Sequence, residues 1–375
     1  MEKQNGGDSG NLSKRLSPTS RALRQFFQLA KESYQESGVA GVQELQNIRG
    51  LPNPPIPIPQ SPNTPALQYS NTPILQSPLS MPLTAIDELL QQAREHRYAL
   101  GYFESWNLES LQGVLDAAEA TRSPIIIGFN GEFLSHRDRQ QSERLEWYAG
   151  LGKAAAASAS VPCGLIFNEC ADDAWVRNAV LAGFNLVMPA DPLATNQDYS
   201  RRVAALTEFA HQYGVAVEAE IGHLPSGLAD TPDHSSLTDP ELAARFVQET
   251  GVDLLAVSVG NVHVLTKGEQ GLDLDQLFRI RSKVAKPLVL HGGSGISATS
   301  LHEAIALGVT KVNYGTYLKQ RYLDAVRASV AADLENPHQL FGMGGDHDVM
   351  VAGRLAVCNA VLERIGLLGC CGKAK

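Results

Sequence analysis

The stretch PLVLHGGSGISATSLHEAIALGVTKVNYGT, residues 287–316, sets two short apolar runs on either side of a helical pattern. PLVLHGG (287–293) and KVNYGT (311–316) read as strands, and SLHEAIALG (300–308) repeats its apolar positions at spacings of three and four. A strand–helix–strand unit makes the two strands parallel, because only a long crossover lets the chain start the second strand in the same direction as the first.

Working outward, the same unit recurs. Further strand-like runs are YALGYF (98–103), PIIIGFN (124–130), PCGLIFN (162–168), NLVMPA (185–190), AVEAEIG (216–222) and LLAVSVG (254–260). Helical patterns between runs include 108–120, 175–183, 199–214 and 240–251. Eight such units predict an α/β fold of the closed TIM (β/α)8 barrel type rather than an open doubly wound sheet, and no strong G-x-G-x-x-G follows the first strand to argue for a dinucleotide site. In such a barrel the chemistry gathers where the strands end. The polar residues there are Asn130, Asn168, Glu169, Glu220, His223, His263, His291 and Asn313.

Two glycine-bearing loops, HGGSGIS (291–297) and NYGT (313–316), follow the seventh and eighth strands. Either alone reads equally well as a tight turn. At adjacent strand ends, backbone N–H groups and hydroxyls of Gly292, Gly293, Ser294, Asn313, Gly315 and Thr316 form a candidate phosphate site. His263 and His291 follow neighbouring strands, and Glu169 follows a third. Two histidines and a glutamate are a workable catalytic zinc set with a position left for substrate; the other reading is a carboxylate paired with a histidinium at the same mouth.

The rest of the chain sets bounds. Residues 51–80 hold nine of the twenty prolines, so residues 1–80 are expected to be a Pro-rich, disordered extension, with one short amphipathic helix over 21–34. The functional domain is expected over 81–375, where Thr84, followed by Asp87 and Glu88, predicts a capped helix start. A balance of 31 basic against 40 acidic residues, net −9, argues against nucleic acid or an anionic membrane as partner. Five irregularly spaced cysteines, without a C-x-x-C pair, suit a reducing cytoplasm. GGDHD (344–348) is expected to begin a terminal helix.

Several ordered landmarks, VEAEIG (217–222), GNVHVLTKG (260–268), LVLHGGSGI (288–296), KVNYGT (311–316) and AGFNLVM (182–188), resemble the class II, zinc-dependent ketose-bisphosphate aldolases that act on fructose and tagatose bisphosphates. The resemblance covers nearly all of 81–375. Met81 stands where members begin, so the upstream segment is expected to come from a start assigned too early. The resemblance implies a zinc lyase that makes or breaks a carbon–carbon bond, with dihydroxyacetone phosphate as product or donor and a homodimer or homotetramer as assembly. It implies that His263 and His291 are zinc ligands, that Gly292, Ser294, Asn313 and Thr316 hold the donor, and that the glycine loop and GNVH resemble segments binding a monovalent cation in some members.

The departures are concentrated in PCGLIFNECADD (162–173), with others at FESWN (103–107), PADP (189–192) and HLPSGLAD (223–230). Members end the third strand with Asp-His, acid and zinc ligand; here Asn168 and Glu169 stand there. A carboxylate is an acceptable zinc ligand, so Glu169 preserves a metal shell. An amide has no proton to exchange near neutral pH, so Asn168 is assigned to orienting a hydroxyl. Glu104, Glu132, Asp191 and His223 remain as candidates for moving the proton, and spacing does not choose among them. Three functions follow: a zinc-dependent aldolase acting on a phosphorylated ketose, a noncatalytic sugar-phosphate-binding protein on the same fold, or a sugar-phosphate isomerase or epimerase.

Overall fold

A computed structural model of the chain describes residues 83–191, 194–222, 237–262, 269–331, 334 and 336–374. The expected Pro-rich extension and its helix lie outside them, as do His223 and His263. The strands are β1 (Leu100–Ser105), β2 (Ile125–Asn130), β3 (Cys163–Cys170), β4 (Leu186–Pro189), β5 (Ala216–Ile221), β6 (Leu254–Val257), β7 (Leu288–Leu290) and β8 (Val309–Tyr314). They close in chain order into a parallel barrel, with β8 returning to pair with β1. The expected TIM barrel is the observed one.

The described helices are α1 (Ile86–Glu95), α2 (Leu108–Ala120), α3 (Gly131–Ser135), α4 (Leu145–Ser158), α5 (Asp173–Ala182), α6 (Asn196–His211), α7 (Pro240–Thr250), α8 (Leu274–Lys283), α9 (Ala298–Ala306), α10 (Thr316–Val330), α11 (Pro337–Leu340) and α12 (Val349–Ile365). Asp348 accepts from the Met350 N–H and caps α12, as the reading of GGDHD anticipates. None of the described helices is long and apolar enough to cross a membrane.

Helix α1 lies at the starts of the strands. A Cβ on Gly164 would come within 2.6 Å of Ile86 Cδ1, so the glycine makes room for α1 against the barrel floor. The cap expected from Thr84 is not made: the N-cap is Ala85, without a side-chain hydrogen bond. Thr84 is used in docking instead, its N–H donating to the Cys163 carbonyl at 2.9 Å and its carbonyl accepting from Asn185 Nδ2 at 2.7 Å.

Helix α2 starts with a reciprocal cap. Asn107 Oδ1 accepts from the Ser110 N–H at 2.9 Å, and Ser110 Oγ accepts from the Asn107 N–H at 3.0 Å. Asn107 Nδ2 also donates to Tyr322 Oη on α10. Asn107→Ala is expected to cost about 1–2 kcal/mol in urea denaturation, the upper end because a tertiary bond goes with the cap.

Helix α12 packs across α2 and α10. At the crossing with α2, a Cβ on Gly113 would meet the Arg354 carbonyl oxygen at 2.5 Å, and beside it Arg354 forks onto the Asp116 carboxylate. Alanine favours a helix over glycine by about 1 kcal/mol, but forcing two backbones apart costs about 1–3 kcal/mol. Gly113→Ala is therefore expected to lower stability despite its better propensity, read as a lower urea midpoint with unchanged slope.

Candidate active site

Strand register fixes which side chains face the barrel interior. Tyr102 pairs with Ile126 and Ile126 with Gly164; two residues higher, Glu104 pairs with Gly128 and Gly128 with Ile166. Gly164 faces α1 inside the floor, so the period of two turns Glu104, Ile166 and Asn168 inward as well. On the far side, Glu218 of β5 reaches Lys311 of β8, with Nζ 2.8 Å from Oε2. These strands are not neighbours in the barrel, so the pair spans its interior.

His291, just past β7, is the hub. Its Nε2 lies 3.0 Å from Glu218 Oε1, while its Nδ1 lies 3.3 Å from Glu169 Oε1 and 3.5 Å from Glu220 Oε2. Burial alone would push this imidazole down, but the charges of Glu220, Glu169 and Glu218 outweigh it and hold the group up at about 10. Burial would likewise push Glu218 up, yet Lys311 and His291 keep it below the usual carboxylate range. Carboxylates therefore lie against both ring nitrogens of His291.

Glu169 reaches His291 through a local break in the strand. Its φ of +52° is left-handed, and the β3–β4 register shifts between Phe167 and Cys170. For a residue with a Cβ this costs about 1 kcal/mol or more, offset here by what the carboxylate touches. Asn130 Nδ2 donates to Glu169 Oε2 at 2.9 Å, and Asn130 Oδ1 caps α3 by accepting from the Phe133 N–H. The neighbouring Cys170 packs against Gly131, and burial pushes its thiol up to about 11, so it is an inert space-filler.

The two glycine-rich loops lie side by side. Gly292 has φ +64°, the turn continues through Gly293–Gly295, and a Cβ on Gly293 would meet Val312 Cγ1 at 2.6 Å and the Asn313 carbonyl oxygen at 3.0 Å. Glycine at 293 is what lets the turn after β7 lie against β8. Ser294 belongs to this turn, and Gly315 and Thr316 open α10. Asn261, buried in the GNVH segment, ties β6 to this end of the barrel by donating to the His291 carbonyl at 3.0 Å.

Among the described residues, Asn168 Oδ1, Asn313 Nδ2, Tyr102 Oη and Ser258 Oγ are buried without a hydrogen-bond partner. Buried polar atoms are normally satisfied, so an acceptor and three groups able to donate inside the barrel suit a hydroxyl-rich ligand. Burial, and then the charges of Glu104, Glu169 and Glu218, push the Tyr102 phenol well up, which keeps it a donor.

Of the residues singled out from the sequence, the structure brings Glu169 to His291, and Gly292, Gly293 and Ser294 to Asn313, Gly315 and Thr316. Asn168 faces the same interior. Glu132 does not join them: it is exposed in the first turn of α3. Asp191 is half-buried just beyond β4. Glu218 and Lys311 were not singled out, although a charged residue inside a buried strand demands a partner, and each of these strands carries one.

A family model described as fructose-bisphosphate aldolase class-II matches residues 84–373. The chain belongs to the class II fructose-bisphosphate aldolase family. It is 35% identical over 288 residues to the Escherichia coli K12 protein described as uncharacterized protein YdjI, covering 76% of this chain and 96% of that one. The crystal structure of the YdjI aldolase from Escherichia coli K12 superposes with TM-score 0.66 at 33% identity, over 78% of this chain and all of that one. A putative fructose-1,6-biphosphate aldolase from Coccidioides immitis gives TM-score 0.64 at 27% identity, over 77% and 97% of the two chains. Fructose-bisphosphate aldolase from Campylobacter jejuni, at 21% identity and TM-score 0.64 over 78% and 97%, shares the fold. Family membership makes the chain an aldolase-type lyase.

Proposed function

We propose that this aldolase-family protein uses zinc to cleave or form a carbon–carbon bond in a phosphorylated ketose, with dihydroxyacetone phosphate as product or donor. The observation that carries the reading is the convergence of Glu169 and Glu220 on the Nδ1 side of His291, beside the paired glycine loops. Atoms bound at 2.0–2.1 Å around a tetrahedral zinc stand about 3.3–3.4 Å apart, close to the 3.3 and 3.5 Å separations here. Glu218 on Nε2 would act as the carboxylate that orients a ligating histidine. No group of three His, Cys, Asp or Glu among the described residues forms a ligand cage by itself, and His263 is the residue proposed to complete the set. With His263, the set would offer zinc the imidazole nitrogens and carboxylate oxygens that it takes.

When bound, zinc supplies Lewis-acid polarisation of the ketone and stabilisation of the negative charge that builds there. The chain's own residues do the rest. The turn 292–295 and the start of α10 hold the phosphate, and Asn313 and Asn168 orient hydroxyls. A phosphate so held keeps the reacting carbons in register. The monovalent cation implied by the family is assigned to the glycine loop and GNVH segment.

Purified full-length protein loaded with zinc is expected to release triose phosphate from at least one member of a panel of ketose mono- and bisphosphates. Stoichiometric zinc without release from any of them would reject the aldolase reading. Solvent deuterium in recovered substrate without cleavage would assign isomerisation or epimerisation instead, and tight ligand binding without turnover or exchange would assign a binding protein.

A further inference from the structure

We propose that Glu104 is the catalytic proton acceptor at the aldol hydroxyl, held in place by Lys319, and that it supplies in this chain the acid–base function that Asn168 lacks. The inference rests on the aldolase reading above and deepens it.

Glu104 is an inward-facing carboxylate on β1, with 7% of its surface exposed at the mouth of the barrel. Its β2 register partner is Gly128. On the other side, Phe103 pairs with Tyr314 of β8, so the next residue up is Gly315. Both flanking positions thus lack a side chain. At Gly315 the space is already used: a Cβ there would lie 2.4 Å from Glu104 Oε2.

The two oxygens are differently engaged. Oε1 pairs with Lys319 Nζ at 2.5 Å, and Oε2 faces the Gly315 backbone, next to Asn313 and the proposed phosphate loops. Lys319 comes from the second turn of α10 and is itself held over the Phe133 ring, with Nζ 4.0 Å from the centroid. The pair therefore ties the end of β1 to the helix that starts with the donor-binding residues. Of the other candidates, Glu132 is exposed, Asp191 sits only half-buried past β4, and His223 lies outside the described residues. Glu104 has the burial and the strand-end position that a substrate-contacting carboxylate needs.

In cleavage, the O–H bond of the hydroxyl beside the breaking bond gives its proton to Glu104 Oε2. The freed electron pair becomes the second bond of the new aldehyde carbonyl. The carbon–carbon bond breaks, and its electron pair moves onto the donor as an ene-diolate. Water then protonates the donor carbon, and Glu104 returns its proton to water, so protons and charge balance over the turnover. Lys319 is a positioning residue: it aims the carboxylate and keeps one oxygen turned away from the substrate.

The experiment uses zinc-loaded full-length protein and the ketose phosphate that the parent cleaves fastest. Glu104→Gln is nearly isosteric and is expected to lower kcat about 10²–10⁴-fold with KM within threefold. In the same variant, exchange of the donor carbon proton of dihydroxyacetone phosphate with solvent deuterium, followed by NMR, is expected to stay within about threefold of the parent. Calorimetric binding of dihydroxyacetone phosphate should also be unchanged. Lys319→Met is expected to lower kcat about tenfold or more, and Lys319→Arg to restore most of it. Cleavage by Glu104→Gln within threefold of the parent would overturn the proposal. So would equal loss of cleavage, exchange and binding, which would mark Glu104 as a structural residue. A parent inactive on every ketose phosphate would reject the aldolase reading and this inference with it, whereas an active parent with an active Glu104→Gln rejects this inference alone.

Discussion

Glu218→Gln is expected to destabilise the barrel by about 3–5 kcal/mol, because it takes from the buried Lys311 the carboxylate that contacts it. Lys311 has no exposed surface, and its nearest carboxylate oxygens are Glu218 Oε2 at 2.8 Å and Oε1 at 3.1 Å. Its other described polar contact, Asn313 Oδ1, is neutral and cannot balance the charge. The loss should shrink in the double variant Glu218→Gln, Lys311→Met, since removing both charges of a buried pair costs far less than orphaning one. Glu218 also touches His291 Nε2, and that contact is not rescued by changing Lys311. If His291 is a zinc ligand as proposed, zinc affinity is expected to fall about 10–100-fold in Glu218→Gln and to remain low in the double variant, as for carboxylates behind a ligating histidine. Urea unfolding of the metal-free protein reads the first effect, and chelator competition reads the second. Equal recovery of both in the double variant would show that Glu218 does not orient His291.

The barrel was legible because its strands are short, wholly buried and separated by helical spacing. PIIIGFN and PLVLHGG have almost no other reading. The mouth was legible by position, since a closed barrel gathers strand ends whatever their distance in sequence. Its wiring was not. AVEAEI shows two acids on one face of β5, but only the three-dimensional register turns Glu218 toward Lys311 and Glu220 toward Nδ1 of His291. The packing of Glu104 is illegible for the same reason: Gly315 matters there through a contact between β1 and the end of β8, 211 positions apart (315 − 104). The Thr84 cap failed because a local signal competed with the docking of α1 on β3, and docking won.

On the proposed zinc site, Glu169→Ala is expected to weaken zinc binding by more than about 100-fold, beyond the loss typical of residues that only support a ligand. Two effects act together at this position and can be separated. The left-handed backbone, φ +52°, disfavours any residue with a Cβ by about 1–2 kcal/mol, and glycine not at all. The carboxylate, in turn, accepts from Asn130 and sits 3.3 Å from His291 Nδ1. Glu169→Gly removes the carboxylate and relieves the strain, so it should be more stable than Glu169→Ala by about 1 kcal/mol while binding zinc equally poorly. Glu169→His restores a zinc donor at the same place and should recover affinity relative to Glu169→Ala. Chelator competition on the three variants, with urea unfolding alongside, reads both quantities. If Glu169→Ala kept zinc within threefold of the parent, the carboxylate would be serving only to neutralise the histidinium, and the strained backbone would have been retained for that ion pair alone.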